Sequence, residues 1–516
     1  MSRRTRWGVM IALTAAAASA LACWAYHPGI PGSAELLDRP PRIFPDYAGI
    51  VIPPNIAPLN MRVEEPGDAF AARITGPAGE ALEISGDGPN LRIGIGPWRR
   101  LLAANRGKEI AVEVFARKDG QWRRFAPLRN QVAQEEIDSC LVYRLMPAIY
   151  SKWNAMGIYQ RNVETFEERA ILRNNRVGLA CINCHSFAGN RPDTFSFQFR
   201  AITPSSPSGM VVVRAGRATF VDARLGSDTG PAAYTSWDAD GSTAAFSVNK
   251  FRQIMHGATS EPRDVLDLNS DLAFLDAAGH RVRSTAAISD SAFLETFPSL
   301  SPDGTTLYFS RVRRPWTDTK AVPPPGFDSV KYDLARVRRS GSGASQPRES
   351  IETVVPAEQT GLSASEARVS PDGRYVLFTL SPYGSFPVFQ PSSDLYLLDT
   401  ADGRYRRMEL NSDRCESWHC WSSNGRWIVF SSKRMDGLMS RPYLAYFDTA
   451  GREHKPFVLP QEDPAFYESC LRTFNLPELV RSPVTVPEED LVGAILSAPP
   501  AKLHAVSGAT PSGRKD

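Results

Sequence analysis

The chain has 516 residues, of which 42% are hydrophobic and 22% are charged, and its formal net charge is +3. This length exceeds one ordinary core and predicts about three domains. The small net charge gives no electrostatic case for nucleic-acid binding, so we expect no nucleic-acid partner. The 41 prolines and 37 glycines favour a mainly β protein, in which many short strands are joined by turns.

Residues 1–26 have the pattern of an export signal. A basic start that contains Arg3, Arg4 and Arg6 precedes the uncharged apolar stretch 9–25. The sequence Ala20-Leu21-Ala22-Cys23 offers a small-residue cleavage site and loosely resembles a lipoprotein box, and a retained membrane anchor is the alternative. Each interpretation predicts a periplasmic protein, which is held at the membrane if the segment is uncleaved or lipidated.

Two different patterns follow this segment. Residues 27–58 contain the proline-rich sequences HPGIPGS, DRPPRIFPDY and VIPPNIAP, which predict an extended tether along the surface. Over residues 59–128, short alternating runs such as 70–74 and 110–115 are separated by Gly, Pro and Asp turns. The second pattern predicts a small N-terminal β-sandwich with immunoglobulin-like or fibronectin-like proportions.

The apolar period changes again between residues 134 and 205. Apolar and aromatic residues between Leu141 and Tyr159 recur in a stretch with little proline, which predicts two or three helices. This stretch contains Cys181-Ile-Asn-Cys184-His185, a C-x-x-C-H motif of the kind that attaches c-type haem, and cytochrome c folds wrap haem with helices. We therefore expect a short helical haem segment over 134–205.

The sequence Cys181-Ile-Asn-Cys184-His185 is a C-x-x-C-H motif, which is typical of c-type haem attachment. Two thiols at this spacing can each add to one haem vinyl group, and His185 is then an axial ligand of the iron. The motif predicts one covalent haem c. A zinc site, a thioredoxin-like pair and a simple disulfide are the alternatives.

Residues 206–490 contain an internal repeat. Each copy is a strand, a tight Asp/Asn-Gly turn and a second strand that ends in Phe-Ser or Phe-Thr, and a further strand follows. The turn glycines are Gly241, Gly304, Gly373 and Gly425. Such a unit cannot bury both faces alone, so the repeat predicts a C-terminal propeller of five or six blades. The polar tail 499–516 predicts disorder.

Three residues are alternative distal ligands of the haem iron. His419 lies two residues before Trp421, and His256 lies seven residues after Asn249, so both are expected on the face of the propeller opposite the Asp/Asn-Gly turns. Met210 follows the motif and would give a haem of higher reduction potential than a bis-histidine haem. Hydrogen bonding to loop backbone is the alternative role for either histidine.

Four cysteines remain outside the signal and the haem motif, namely Cys140, Cys415, Cys420 and Cys470. In an oxidising compartment they can form two disulfides with three possible connectivities. We favour Cys415 with Cys420 and Cys140 with Cys470. Buried free thiols are the alternative.

The SPDG-type repeats resemble the WD40-like propeller of the TolB family. The whole arrangement resembles a family of exported bacterial proteins that join this propeller to a single C-x-x-C-H motif. The resemblance runs through FPDYAGIVIPPNIAPLN, LLAANRGKEI, LVYRL, MGIYQRN, CINCHSF, FSVNK and SWHCWSSNGRWIVFSSKR. It implies the architecture and the haem rather than a reaction.

We expect a periplasmic monohaem c-type cytochrome whose propeller is a docking platform for electron transfer with a redox partner protein. One alternative is a TolB-like scaffold that binds envelope proteins and carries a structural haem. Another is a haem-dependent, peroxidase-like enzyme. The chain contains no G-x-S-x-G and no H-E-x-x-H motif, so an electron-transfer or binding protein is favoured over a catalyst.

Overall fold

The computed structural model describes residues 29–147, 153–178, 180–201, 208–222, 232–256, 263–278, 281–316, 320–321, 323–339, 350–496, 501–502 and 504–505. The predicted signal or anchor 1–26, residues 27–28 of the tether and residues 506–516 of the tail lie outside the described residues. Among those described, no helix has the length and apolar character needed to cross a membrane. The chain forms two compact units, Met1–Glu136 with Pro460–Cys470, and Ile137–Leu459 with Leu471–Asp516.

The first unit contains a seven-stranded sheet and a three-stranded sheet. Its strands are β1 (Glu35–Leu37), β2 (Ile43–Phe44), β3 (Val51–Ile52), β4 (Met61–Val63), β5 (Ala69–Thr75), β6 (Leu82–Gly86), β7 (Asn90–Leu91), β8 (Glu109–Lys118), β9 (Gln121–Phe125) and β10 (Leu128–Val132). The larger sheet has the order β1-β9-β8-β10-β3, with β5 also paired to β8 and β6 to β5, and the smaller has the order β2-β4-β7. Helix α1 (Ile95–Ala104) buries Trp98, Leu101 and Leu102, and a single helical turn is formed by Phe466–Ser469.

The structure corrects two expectations for this unit. The structure does not show the predicted sandwich over 59–128. Strands β5, β6, β8, β9 and β10 form one antiparallel sheet, which β1 and β3 from outside this range extend in parallel, and α1 interrupts the strands. Residues 29–58 do not form a surface tether, because they supply β1 to β3 and bury Ile50, Ile52 and Ile56 to 1% exposure or less. Their prolines lie at edges and turns, where a missing backbone N–H does not break a sheet.

The second unit is a six-bladed β-propeller, in which each blade is built on four antiparallel strands. Blade 1 contains β11 (Cys140–Pro147), β12 (Gly157–Asn162), β13 (Glu168–Arg173) and, from much later in the chain, β34 (Arg472–Val480). Blade 2 contains β14 (Ala180–Phe187), β15 (Thr194–Ala201), β16 (Gly209–Arg214) and β17 (Arg217–Asp222). Blade 3 contains β18 (Ala232–Trp237), β19 (Thr243–Met255), β20 (Arg263–Asp276) and β21 (Arg281–Arg283).

The remaining blades follow in chain order. Blade 4 contains β22 (Phe293–Leu300), β23 (Thr306–Arg313), β24 (Asp333–Arg338) and β25 (Ile351–Val355). Blade 5 contains β26 (Ser363–Val369), β27 (Tyr375–Ser381), β28 (Asp394–Asp399) and β29 (Tyr405–Arg407). Blade 6 contains β30 (Glu416–Trp421), β31 (Trp427–Ser432), β32 (Arg441–Tyr446) and β33 (Phe457–Val458). Helix α2 (Glu488–Leu496) follows β34, and short helical turns lie at Trp153–Ala155, Asn174–Arg176, Ala188–Asn190, Phe327–Ser329, Ala357–Thr360 and Pro387–Phe389.

The ring is closed by β34. The first strand of each blade from β14 to β30 packs beside the first strand of the next blade, and β34 packs between β30 and β14. Since β34 pairs antiparallel with β11, blade 1 is shared by two distant segments of the chain. This shared blade joins the two ends of the ring.

The structure confirms the strand, turn and strand repeat. In blades 3 to 6 the turn glycines Gly241, Gly304, Gly373 and Gly425 have φ of 66–74°, which is the left-handed conformation that glycine adopts readily. In blades 4 to 6 a serine hydroxyl oxygen accepts a backbone N–H across the turn at 2.9 Å, with the pairs Ser301 and Thr306, Ser370 and Tyr375, and Ser422 and Trp427. The Asp/Asn-Gly signature is therefore a local hydrogen-bonding unit.

The predicted helical segment 134–205 is instead formed by strands β11 to β15 with three short helical turns. Seven of the eight residues in β11 are buried, and a short, mainly apolar run such as this does not distinguish a buried strand from a helix. The propeller therefore begins with blade 1 rather than at residue 206. In the predicted disordered tail, β35 (Ala501–Lys502) and β36 (His504–Ala505) pair with β17 and β21.

Candidate functional site

Each of the six innermost strands contains one residue with a left-handed backbone, next to a shift in strand register. These residues are Cys184 (φ 52°), Tyr234 (51°), Phe297 (50°), Glu366 (56°), Trp418 (41°) and Leu476 (47°). A left-handed residue other than glycine costs about 1–2 kcal/mol. Such strain persists only where the surrounding structure over-determines it, and it is concentrated at functional sites.

The six left-handed residues line one cavity at the centre of the ring, which we call the axial cavity. It holds about 390 Å³ that atoms do not fill. His185, which follows Cys184, lines this cavity, and so does His419, which follows Trp418. The two histidines therefore occupy equivalent positions in blades 2 and 6.

His185 and His419 are 1% and 3% exposed. Within the described part of the chain, neither ring nitrogen of either histidine has a hydrogen-bond partner. Burial lowers the pKa of each imidazole to about 3, and the charge of Arg368 acts in the same direction. Both rings are thus neutral at physiological pH, which is the form that binds a metal. Buried polar atoms without partners are costly, so these nitrogens make the two histidines a candidate ligand pair.

The two thiols of the C-x-x-C-H motif lie on the same strand, β14. Cys184 lines the axial cavity, and its Sγ is 3.6 Å from the Oε1 of Gln198. Burial raises the pKa of Cys184 to about 11, so its sulfur is a neutral thiol. Cys181 lines a second cavity of about 680 Å³, and Tyr234 and Trp418 contribute to the walls of both cavities.

No disulfide joins any two of the six described cysteines. The expected pair of Cys415 and Cys420 does not form because the extended strand β30 separates them by roughly 16 Å, at about 3.3 Å per residue, and a disulfide needs Cα atoms within about 7 Å. Cys140 contacts the side chain of Gln160 at 3.6 Å and is not bonded to Cys470. Burial raises the pKa of the Cys140 thiol to about 12.

The other two proposed distal ligands lie outside the axial cavity. The Nε2 of His256 is 2.8 Å from the Oδ2 of Asp264, and its ring stacks on Phe327. Met210 is 1% exposed in an apolar cluster between blades 2 and 3, and its Sδ is 3.6 Å from the hydroxyl of Thr235. The structure thus brings Cys184, His185 and His419 to one cavity and places His256 and Met210 elsewhere.

Glu366 is a further residue of the axial cavity that the sequence analysis missed. Its Oε2 accepts the backbone N–H of Trp418 at 2.6 Å, its Oε1 has no partner among the described atoms, and burial raises its pKa to about 8. Glu366 and Trp418 each lie seven residues before their turn glycine. Alignment of the repeats on these glycines would have assigned both residues to the central ring.

No group of three or more His, Cys, Asp or Glu side chains within the described ranges is arranged to hold a bare metal ion. A metal bound by His185 and His419 would therefore need its remaining ligands from another group. An iron porphyrin needs only axial ligands from the protein, because its own nitrogens fill the other four positions.

Comparison with known proteins finds no matching family model and no matching curated protein. Among solved structures, an oligogalacturonate lyase from Vibrio parahaemolyticus is 12% identical, with 75% of this chain and 100% of that chain covered and a TM-score of 0.33. Prolyl oligopeptidase B from Galerina marginata is 11% identical, with 60% and 48% covered and a TM-score of 0.33. The Dos1 propeller is 13% identical, with 46% and 64% covered and a TM-score of 0.26. None of these values supports a statement about function.

Proposed function

We propose that the chain is a periplasmic monohaem c-type cytochrome that carries its haem at the axis of the propeller. The observation that carries this proposal is the pair His185 and His419, which line one cavity and whose buried ring nitrogens have no hydrogen-bond partner in the described structure. A haem bound there supplies a one-electron redox centre. Electron transfer with a protein partner is the corresponding function.

The residues present fit a covalent haem. Cys181 and Cys184 supply the two thiols that the attachment chemistry requires, and His185 follows the second thiol directly. Because Cys184 lines the axial cavity and Cys181 lines the adjoining one, a porphyrin bonded to both would lie in the axial cavity and reach the second cavity only at Cys181. Tyr234 and Trp418 lie in both walls, so we expect these side chains to move when haem binds.

We assign His419 as the distal ligand. His256 is already bonded to Asp264, and Met210 is packed into a separate apolar cluster, so each would have to leave its present partners. A second histidine closes the sixth coordination position of the iron. This favours electron transfer over the peroxidase-like alternative, which needs an open position for its substrate.

Two further features of the chain, its first 26 residues and its propeller turns, support this proposal. Residues 1–26 resemble an export signal or anchor, and export leads to the compartment in which c-type haem is attached. The Asp/Asn-Gly turns of blades 3 to 6 resemble those of TolB-like propellers, which supports a role of the ring as a docking platform. The partner is a redox or envelope protein.

The test is production of the exported protein together with a c-type haem maturation system. We expect haem-dependent peroxidase staining of the wild-type band on a denaturing gel and none in Cys181→Ser/Cys184→Ser. Cys415→Ser, which removes a buried thiol outside the motif, is the matched control and should stain like the wild type. A wild-type band that does not stain would refute the proposal.

A further inference from the structure

The cavity beside Cys181 is lined by three arginines, Arg144, Arg200 and Arg263, and we call it the arginine cavity. Its other walls include Phe251 and Phe389. The described residues that line it include no aspartate or glutamate. A space of about 680 Å³ with this lining is both cationic and apolar.

Arg144 lacks a counter-charge in the described part of the chain. It is 3% exposed, and its Nη2 contacts two sulfur atoms, the Sγ of Cys181 at 3.1 Å and the Sδ of Met156 at 3.2 Å. Its Nε has no partner among the described atoms. Sulfur is a weak acceptor, and a buried charge is costly unless it is paired. The environment of Arg144 is therefore completed by an anion.

The other polar groups are arranged to help bind such an anion. The guanidinium of Arg200 lies over the ring of Phe251 at 4.2 Å, and that of Arg263 lies over Phe389 at 4.9 Å. Stacking on a ring limits the motion of a guanidinium, so both positive charges are held at the wall of the cavity. Gln198, which is 4% exposed, adds an amide Nε2 that has no hydrogen-bond partner in the described residues.

We propose that the arginine cavity binds a small molecule that combines a carboxylate with an apolar body. The planar fork of arginine matches the two oxygens of a carboxylate, and the phenylalanine rings accept the apolar part. This site does not require the haem. It is a separate ligand site that lies beside the haem.

The propionates of the haem have the same carboxylate chemistry, but their position argues against them. Arg144 contacts Cys181, so it lies at the edge of the porphyrin that would carry the thioether bonds. The propionates of a haem leave from the opposite edge. This step rests on the proposed function, whereas the charge and burial of Arg144 do not.

The experiment measures binding of benzoate to the full-length protein by calorimetry, with benzamide as the uncharged control. We expect benzoate, and not benzamide, to bind both the haem-loaded protein and the haem-free form, which is the same chain made without the haem maturation system. Arg144→Met should weaken the binding about tenfold or more, since a bond to a charged partner is lost. Arg217→Met changes an exposed arginine of blade 2, the blade that contributes Arg200 and Cys181, and should leave the affinity unchanged.

If benzoate bound only to the haem-free form, the haem propionates would fill the cavity, and the proposal of a separate ligand site would be wrong. Absence of binding to both forms would overturn the site itself. An unchanged benzoate affinity in Arg144→Met would also overturn the site. If Arg144→Met does not fold, Arg200→Met tests another arginine of the same cavity. If the haem proposal were wrong, the wild-type band would not stain. Benzoate binding by the haem-free form would still test the arginine cavity, because that measurement does not depend on haem.

Discussion

His185 and His419 occupy the same position in two blades, since each follows a left-handed residue on an innermost strand and each lines the axial cavity. Only blade 1 lies between their blades around the ring. The C-x-x-C-H motif is therefore not an insertion into the propeller. It is one copy of the innermost-strand element that each blade contributes to the ring axis. In this copy Cys184 is the left-handed residue and His185 follows it.

The first prediction concerns His419. In His419→Ala the iron should lose its sixth ligand, so we expect a high-spin visible spectrum and rapid binding of carbon monoxide, neither of which the wild type should show. His256→Ala and Met210→Leu are the controls and should retain the wild-type spectrum. A near-infrared methionine-to-iron band that is present in the wild type and persists in His419→Ala would instead identify methionine as the ligand.

The second prediction tests the repeated turn. Gly373 has φ of 74° and open space around the site of a Cβ, so Gly373→Ala should cost about 1–2 kcal/mol of unfolding free energy through backbone strain alone. Gly493, within helix α2, also has open space, and Gly493→Ala should stabilise the protein by about 0.5–1 kcal/mol. Urea denaturation measures both. Equal effects of the two substitutions would contradict this account of the turn.

The third prediction tests the closure of the ring by β34. A chain that ends at Gly437 lacks β32, β33 and β34, so β11 and β14 lose their inner neighbour, and we expect no cooperative thermal unfolding. A chain that ends at Leu496 keeps β34 and should unfold cooperatively. If the shorter chain were soluble and melted as sharply as the full protein, the blades would be independent units.

The fourth prediction concerns Glu295, whose pKa burial raises to about 8 although Arg311 opposes the shift. Between about pH 4.5 and pH 8 the unfolded carboxyl loses its proton while the folded one keeps it, so the unfolded state binds fewer protons and stability falls as pH rises. Glu295→Gln removes this effect. Its stability relative to the wild type should rise with pH by at most about 1.4 kcal/mol per unit across that window.

The matched control for this prediction is Glu352→Gln. Glu352 lies at the surface, and its hydrogen bonds to Arg336 lower its pKa, so any contribution it makes is lost on acidification. Urea midpoints from pH 4.5 to pH 8 distinguish the two cases. A Glu295→Gln curve that runs parallel to that of the wild type would contradict the raised pKa.

The elements predicted best are those whose signal is local. An Asp-Gly turn such as Asp372-Gly373 needs a positive φ and a nearby acceptor, and both requirements are written in neighbouring residues. Blades 1 and 2 lack this signature. The hairpin of blade 2 turns through Gly189 and Asn190, both left-handed, and the innermost strand of blade 1 comes from β34. Their sequence therefore resembled a separate helical segment.

The candidate site was also predicted only in part, because some of its residues meet through contacts between distant segments. The motif residues Cys181, Cys184 and His185 and the candidate His419 were predicted from spacing and from strand geometry. Arg144 was not, because its place beside Cys181 depends on contacts between blades rather than on neighbouring residues. The disulfide expectation also failed for a geometric reason, since Cys415 and Cys420 flank an extended strand.

The position of β34 late in the sequence also determines when the ring can close during folding. Cys181 and Cys184 are 8% and 3% exposed in the closed ring, so an enzyme that attaches a large group cannot reach them there. They precede β34 by the whole length of blades 2 to 6, and until β34 docks, one side of β14 is open. If a haem is attached to these cysteines as proposed, the attachment would have to precede the docking of β34, and the rate of attachment would compete with the rate of ring closure.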